Sequence, residues 1–322
     1  LKWFPYCDVV LGLASVVGLP IGHCSGDLSR CESILMALGW QTRVNLAAGL
    51  RLLHKQGQAD MCAGFFASRH PTDRSKFYAA EHGIFFEEAK PTHFHLYSIE
   101  TGENVIDPED GVKSSAKPNA PVIPLCRAIF GKYSHVNCMI HAHGDNAMAL
   151  ASCENNQVLA MSEHSFMFHE RVGYVSCDFF FGPAYVQECV DALGSAGIFA
   201  LQMRNHAYLM VGKTIPQTYL RAHMFEESCK VQLRVMASGS RPHVPDPKEL
   251  KYHRSSYEGY PGCPAYSGDL EWPAFLRQLE RADPGWSADP RGDKEDGGEI
   301  EEAGIFNLDI FNLAEKVAPR AL

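Results

Sequence analysis

The chain lacks three features that would assign it to a well-marked class of protein. Its 322 residues hold 29 Lys+Arg against 38 Asp+Glu, so the formal net charge is -9 and there is no excess of positive charge. Nucleic-acid binding depends on basic side chains that release counterions from phosphates. No stretch reaches the ~20 apolar residues that a membrane helix needs. Internal repeats are missing too, so the sequence predicts neither a nucleic-acid nor a membrane partner, and no repeat solenoid.

The cysteines also lack the pattern of a disulfide framework. There are eleven of them, an odd number, scattered through apolar stretches without a CxxC pair. Secreted scaffolds usually carry an even set in a short chain. We therefore expect reduced thiols and a cytoplasmic protein. The apolar residues 9–24 allow an alternative, an N-terminal targeting segment, but no A-x-A cleavage pattern follows them and packing on the main domain is the better interpretation.

Composition changes along the chain predict three parts. Hydrophobic residues make up 46% and charged residues 21%, an ordinary globular balance. Residues 1–40 form an N-terminal extension, 41–238 the main domain, and 239–322 an arm rich in proline and glycine. More than half of the net negative charge falls in residues 289–302 of that arm. The arm is therefore a better candidate for solubility or docking than for catalysis.

Hydrophobic periodicity in the main domain alternates between strand-like and helix-like stretches. The period predicts helices at 42–56, 146–152, 183–193 and 217–236 and one that starts near residue 124, with shorter ones at 272–281 and 306–317 in the arm. It predicts strands at 61–68, 76–80, 84–87, 94–99, 136–140, 157–161, 174–181, 198–203 and 208–211. The mixture of helices and strands indicates an α/β fold. The closely spaced strands between residues 61 and 99, joined by short turns, favour antiparallel pairing.

Two His-x-His pairs stand out among the fifteen histidines. In a strand, residues i and i+2 face the same side, so two imidazoles can reach one ion. His93 and His95 precede a polar turn that is typical of a solvated hairpin. His141 and His143 end an apolar strand, and His206 lies in a tight turn between two apolar runs. Three histidines with an open position are typical of a catalytic divalent-metal site.

Residues about 42–238 resemble the class II aldolase/adducin family. The resemblance rests on segments that occur in the family's order and spacing: NLAAGLRLL (45–53), CAGFFASRHP (62–71), HGIFFEE (82–88), VNCMIHAH (136–143) and RNHAYLMVGKTI (204–215). It implies a central, mainly antiparallel sheet flanked by helices on both faces, to which the composition adds an extended C-terminal arm. It also implies a zinc or similar divalent ion on His141, His143 and His206, and a homo-oligomer, commonly a tetramer with sites between subunits.

The sequence departs from the family's aldolases at two places. Those aldolases carry an acid/base Glu upstream of the metal strand, where residues 118–124 read PNAPVIP and contain no acid. Their phosphate-binding segment resembles residues 64–67 here, with Phe65 where a polar residue is expected. A phosphate dianion needs hydrogen-bond donors. The expected substrate is therefore a small, non-phosphorylated carbonyl compound.

Three hypotheses follow for the function. The first is a metal-dependent lyase that cleaves a carbon–carbon bond or decarboxylates a hydroxy/keto compound through an enediolate, with Glu163 and His164 moving the proton. The second is a non-catalytic, adducin-like assembly protein, which the missing acid and the long arm favour. The third is a catalytically silent subunit of a larger complex.

Overall fold

A seven-stranded sheet lies at the centre of the described part of the chain. The computed structural model describes residues 28–108, 111, 113–194, 197–259 and 266–289. The strands are β1 (Phe65–Arg69), β2 (Lys76–Ala80), β3 (Phe94–Ser98), β4 (Cys138–Ala142), β5 (Val172–Val175), β6 (Ala200–Met203) and β7 (Tyr208–Gly212). Their order is β3-β2-β1-β4-β7-β6-β5, and every neighbouring pair is antiparallel except β5 with β6. The expected mainly antiparallel sheet is confirmed.

Helices cover both faces of this sheet, as the family resemblance implies. They are α1 (Leu28–Lys55), α2 (Val122–Lys132), α3 (Asp145–Ala151), α4 (Glu163–Phe166), α5 (Pro183–Leu193), α6 (Ile215–Ala237), α7 (Pro247–Glu258) and α8 (Trp272–Ala282). Two single-turn 3₁₀ helices, at Phe86–Glu88 and Pro91–His93, precede β3. None of the described helices has both the length and the apolar character of a membrane span.

The alternation of side chains along β4 divides the core into two layers. Cys138 and Ile140 join the cluster beneath α1 and α6, whereas Met139 joins the cluster beneath α2 and α5. Successive strand residues point to opposite faces, so a strand covered on both sides is apolar throughout. His141 interrupts that run on the α2/α5 side and is itself buried, which marks the end of β4 as the unusual position of the sheet.

The prediction of a strand at residues 157–161 is wrong. Its backbone is satisfied by side chains rather than by a neighbouring strand: Gln232 of α6 accepts from Leu159 N at 2.8 Å and donates to Gln157 O at 2.8 Å. The Tyr174 hydroxyl accepts from Val158 N at 3.0 Å. The apolar pattern reflects packing against α6 and β5, and sequence periodicity does not distinguish that from a sheet.

Three other element boundaries differ from those expected. Where a strand was expected at 84–87, a 3₁₀ helix begins at Phe86, and the Glu88 carboxylate accepts from Phe85 N at 2.7 Å. The strand expected at 174–181 ends at Val175, and the Asp178 carboxylate holds a turn by accepting from Phe180 N and Gly182 N. Helix α1 begins at Leu28 instead of residue 42, since the sequence between them contains Gly39 but no proline.

The described part of the C-terminal arm folds back on the domain. Helix α7, which the periodicity missed, contacts α4, and an ion pair joins its Arg254 to Glu170 at 2.6 Å. The predicted helix at 272–281 is α8, where Trp272 Nε1 donates to Asn45 Oδ1 of α1 at 3.0 Å. The segment at 9–24, the helix at 306–317 and nearly all of the acidic run lie outside the described residues. The division at residues 40 and 238 stays a prediction, although α1 crosses residue 40.

Candidate metal centre

One strand pairing brings the three predicted metal-binding histidines together. β4 runs antiparallel to β7, with His141 opposite Leu209 and Ala142 opposite Tyr208. The residue that follows Ala142 therefore lies beside the residues that precede Tyr208. This register puts His143 next to the β6–β7 turn that carries His206, across 63 residues of sequence.

The β6–β7 turn is tight, and a left-handed residue shapes it. Met203 N donates to Ala207 O at 2.9 Å and His206 N donates to Met203 O at 3.1 Å. Asn205 has φ 52°, a conformation that asparagine tolerates better than most residues. The turn therefore projects His206 back over the end of β4.

The three side chains form one compact group of nitrogen atoms. Each of His141, His143 and His206 offers a nitrogen, and these atoms lie within 4.8 Å of one another. The His143 and His206 Nε2 atoms are 3.1 Å apart. Among the described residues, this is the only group of three or more His, Cys, Asp or Glu side chains with that geometry.

Hydrogen bonding and burial make this group fit a divalent ion. The Tyr208 carbonyl accepts from His141 Nδ1 at 3.0 Å, which fixes the tautomer and leaves His141 Nε2 with a free lone pair. The Nδ1 atoms of His143 and His206 are buried without a hydrogen-bond partner. Three imidazoles at the end of a strand are a donor set that suits zinc and similar ions.

The electrostatics keep the three imidazoles neutral, which is the form that binds metal. Burial and the two neighbouring histidines lower the pKa of His141 well below its usual range. Burial, followed by the charge of His143, lowers the pKa of His206 to about 4. Burial also lowers the pKa of His143, although the Asp60 carboxylate opposes that shift.

Aromatic rings surround the histidines on the α2/α5 side of the sheet. The Phe181 ring centroid is 5.7 Å from those of both His141 and His206, and the Phe65 centroid is 5.8 Å from that of His141. Phe179 lies 6.3 Å from His206 and is 77% exposed. Phe65 and Ala67 are buried and carry no side-chain donor. Apolar surface therefore replaces the polar groups expected at residues 64–67.

Sequence reasoning missed two acids near the centre. Asp60, in the loop before β1, is the acid whose charge opposes the lowering of the His143 pKa by burial. Glu226, on α6, is buried and binds the backbone of the turn that follows His143. Neither belongs to a recognisable motif. For Glu226 the available signal was a lone acid in an otherwise apolar helical stripe.

Glu163 and His164, the predicted proton carriers, begin α4 on the side of the molecule where the arm packs. The Glu163 carbonyl accepts from the Tyr257 hydroxyl of α7 at 2.8 Å. Burial, followed by the charge of the Glu163 side chain, raises the pKa of Tyr257. The charge of His164 acts on His223 of α6. Neither belongs to the triad's group of candidate ligands, and their assignment to catalysis stays a prediction.

The second His-x-His pair does not form a comparable site within the described residues. His93 ends a 3₁₀ helix, so only His95 lies in β3. The Nε2 atom of His95 is 3.0 Å from the Glu81 carboxylate. The interpretation of this pair as a solvated hairpin face stays a prediction.

Comparison with known proteins gives one family. The model described as "Class II Aldolase and Adducin N-terminal domain" matches residues 44–233. A putative aldolase class 2 protein of Caulobacter vibrioides is 27% identical over 84% of this chain and 98% of its own length. Alpha-adducin of Rattus norvegicus is 22% identical, over 79% of this chain but 35% of its own length.

Solved structures agree on the fold. An aldolase II superfamily protein from Pseudomonas syringae has a TM-score of 0.66 at 22% identity, covering 76% of this chain and 94% of that one. The L-fuculose 1-phosphate aldolase from Glaciozyma antarctica has a TM-score of 0.63 at 20% identity, covering 84% and 96%. At these identities the likeness concerns architecture.

Proposed function

Because this chain belongs to the class II aldolase and adducin family, we propose that it is a metal-dependent carbon–carbon lyase of the class II aldolase type. The observation that carries the proposal is the group of His141, His143 and His206, whose nitrogens lie within 4.8 Å of one another. An assembly protein has no chemical need for three neutral, converging imidazoles. We propose zinc as the ion, since three histidines with an open fourth position are typical of catalytic zinc.

The three histidines would hold the ion, and the rest of the site would orient the substrate. A bound divalent ion would supply a Lewis acid for a carbonyl or hydroxyl oxygen. The Phe181 and Phe65 rings limit water around His141. The apolar surface at Phe65 and Ala67 supports a non-phosphorylated hydroxy/keto substrate, because a phosphate would find no side-chain donors there.

A proton must still be moved, and two groups of residues can be tested for it. Glu163 and His164 are the carriers proposed from the sequence. Asp60 is a second candidate, because its carboxylate is close enough to His143 to act on that pKa. We expect the change at the true carrier, Asp60→Asn or Glu163→Gln, to lower kcat and leave metal content unchanged.

Metal analysis of purified protein is the experiment that tests the proposal. We expect about one divalent ion per chain, lost in His141→Ala, because a catalytic site needs three protein ligands. His95→Ala is the matched control, since it removes a strand histidine of the other His-x-His pair. Protein purified without chelators that contains no metal would refute the proposal, as would equal metal loss in both variants. A screen of hydroxy-keto acids for cleavage would follow.

An adducin-like assembly role is the second candidate function. The relation to rat alpha-adducin and the lack of an acid in residues 118–124 favour it. In that case, replacing His141 and His143 together would leave oligomer size and partner binding unchanged, while no substrate would turn over. A cytoplasmic homo-oligomer, a tetramer by family resemblance, is part of our proposal for either function, and light scattering of the full chain tests its size.

A further inference from the structure

A buried carboxylate holds the turn that immediately follows the second histidine of the triad. Glu226 lies on α6 and is 4% exposed. Its Oε1 atom accepts from Asn146 N at 2.8 Å and from Asn146 Nδ2 at 2.7 Å, and its Oε2 atom accepts from Ala147 N at 3.0 Å. All three donors are uncharged N–H groups. Two of them belong to the backbone of this turn, and the third belongs to the side chain of Asn146.

The position of these donors connects Glu226 to the metal centre. β4 ends at Ala142, His143 and Gly144 follow, and α3 begins at Asp145. The first N–H groups of a helix have no partner within the helix. Because Glu226 binds two of them, the path of the chain directly after His143 depends on a residue about 80 positions further along.

Gly144 makes this close approach sterically possible. Its φ of -64° is one that any residue can adopt, so the backbone conformation does not require glycine. A Cβ atom at this position would instead lie 2.3 Å from Glu226 Oε2 and 2.7 Å from Cδ. Gly144 and Glu226 are therefore matched to each other, with the carboxylate occupying the space that a side chain would fill.

Helix α6 is a firm base for such a contact. It packs against β4, β7, α1 and α3, and the neighbours of Glu226 on the helix, Phe225 and Cys229, are fully buried. A group fixed on a packed helix restricts its partner more than a group on a loop does. The hydrogen bonds to the carboxylate thus restrict the movement of the segment that follows His143 relative to α6.

We propose that Glu226 is a positioning residue of the metal centre, which fixes the 144–147 turn so that the His143 imidazole faces those of His141 and His206. The inference rests on the proposed metal site and extends it to a residue that touches neither metal nor substrate. Groups that orient metal ligands influence affinity roughly 10- to 100-fold. Glu226 would do so through the backbone, since its carboxylate accepts hydrogen bonds from Asn146 and Ala147.

Zinc affinity of the full-length protein, measured by competition with a chromophoric chelator, tests the inference. We expect Glu226→Ala to weaken zinc binding roughly 10-fold or more. Glu227→Ala is the matched control: it removes the next residue of α6, which pairs with Lys230 at 2.9 Å on the partly exposed side. The control should bind zinc as the unmodified protein does.

A second pair of variants separates positioning from loss of structure. Gly144→Ala should weaken zinc binding because its Cβ meets the carboxylate. In the double variant with Glu226→Ala that clash is gone, so zinc should bind no more weakly than in Glu226→Ala alone. Additive losses would overturn the proposed matching. Should Glu226→Ala unfold, Glu226→Gln keeps an acceptor for Asn146 but turns an amide N–H toward Ala147 N, and weaker zinc binding is still expected.

The outcomes for the two proposals differ. If the unmodified protein binds no zinc or other divalent ion, both the metal site and this inference fail. If it binds zinc and the folded Glu226 variants bind it equally well, only the inference fails. A changed melting temperature with unchanged zinc affinity would mean that Glu226 stabilises α3 without positioning His143, and this result would also overturn it.

Discussion

We expect His70 to make the stability of the fold depend on pH. The side chain follows β1 and is 5% exposed. Its Nδ1 atom accepts from Asp73 N at 3.0 Å and Thr72 N at 3.3 Å, which fixes the β1–β2 turn. Protonation at Nδ1 would break both hydrogen bonds within a buried site. Burial lowers the pKa of His70 from 6.5 to about 4.

The sign and the size of the effect follow from that pKa. The folded chain holds fewer protons than the unfolded chain at pH values between about 4 and 6.5. The contribution of His70 is therefore complete above the unfolded pKa and is lost as pH falls toward the folded one. From pH 8 to pH 5 the free energy of unfolding should drop by about 2 kcal/mol, with a limit of about 3 kcal/mol at lower pH.

Urea unfolding of His70→Asn at several pH values measures this contribution. The asparagine amide oxygen can accept from the same two N–H groups, as in Asx turns, but it does not titrate. We expect the variant to lose less free energy of unfolding between pH 8 and pH 5 than the unmodified protein, by about 2 kcal/mol. His82→Asn, which replaces an exposed histidine, is the control. Equal pH dependence of the unmodified protein and His70→Asn would refute the reasoning.

Two further changes test a buried ion pair and the packing beside the metal centre. Arg43 and Asp107 form a buried ion pair at 2.5 Å, so Asp107→Asn should lower the free energy of unfolding by about 1.5–3 kcal/mol in urea titrations, since it removes the carboxylate from a charge-assisted hydrogen bond; a loss below about 1 kcal/mol would contradict this. Gly64 has φ +91°, and a Cβ there would lie 2.6 Å from His141 O. Gly64→Ala should therefore weaken both zinc binding and stability, whereas Gly83→Ala, also at positive φ but with open space around it, should affect stability alone; unchanged zinc affinity in Gly64→Ala would contradict the expectation.

The sequence singled out the three histidines because each lies in a short segment with a local signal. His141 and His143 sit at strand spacing at the end of an apolar run, and the turn around His206 joins two apolar runs. Each feature follows from periodicity and turn chemistry alone. The order β4-β7-β6 was not derivable from these segments, and the family resemblance supplied the sheet that unites them.

Other features could not be predicted because they depend on pairs of residues far apart in the chain. Gln232 satisfies the backbone of residues 157–159, which turns an expected strand into an extended segment outside the sheet. Glu226 and Gly144 are matched across α6 and the β4–α3 turn. Neither pair changes the local hydrophobic pattern. Such contacts can be identified only from a structure, which gives the distance between the two residues.

The candidate metal ligands and the candidate proton carriers are therefore held in place by different contacts. His141 and His143 belong to β4 and the turn after it, which α6 holds by direct packing and through Glu226. Glu163 follows a segment held by side-chain hydrogen bonds, and its carbonyl binds Tyr257 of the arm. A metal centre needs ligands fixed within a fraction of an ångström, whereas a proton carrier can act after a conformational change. If Glu163 moves the proton, changes in the arm should alter turnover while zinc affinity stays constant; if Asp60 does, they should alter neither.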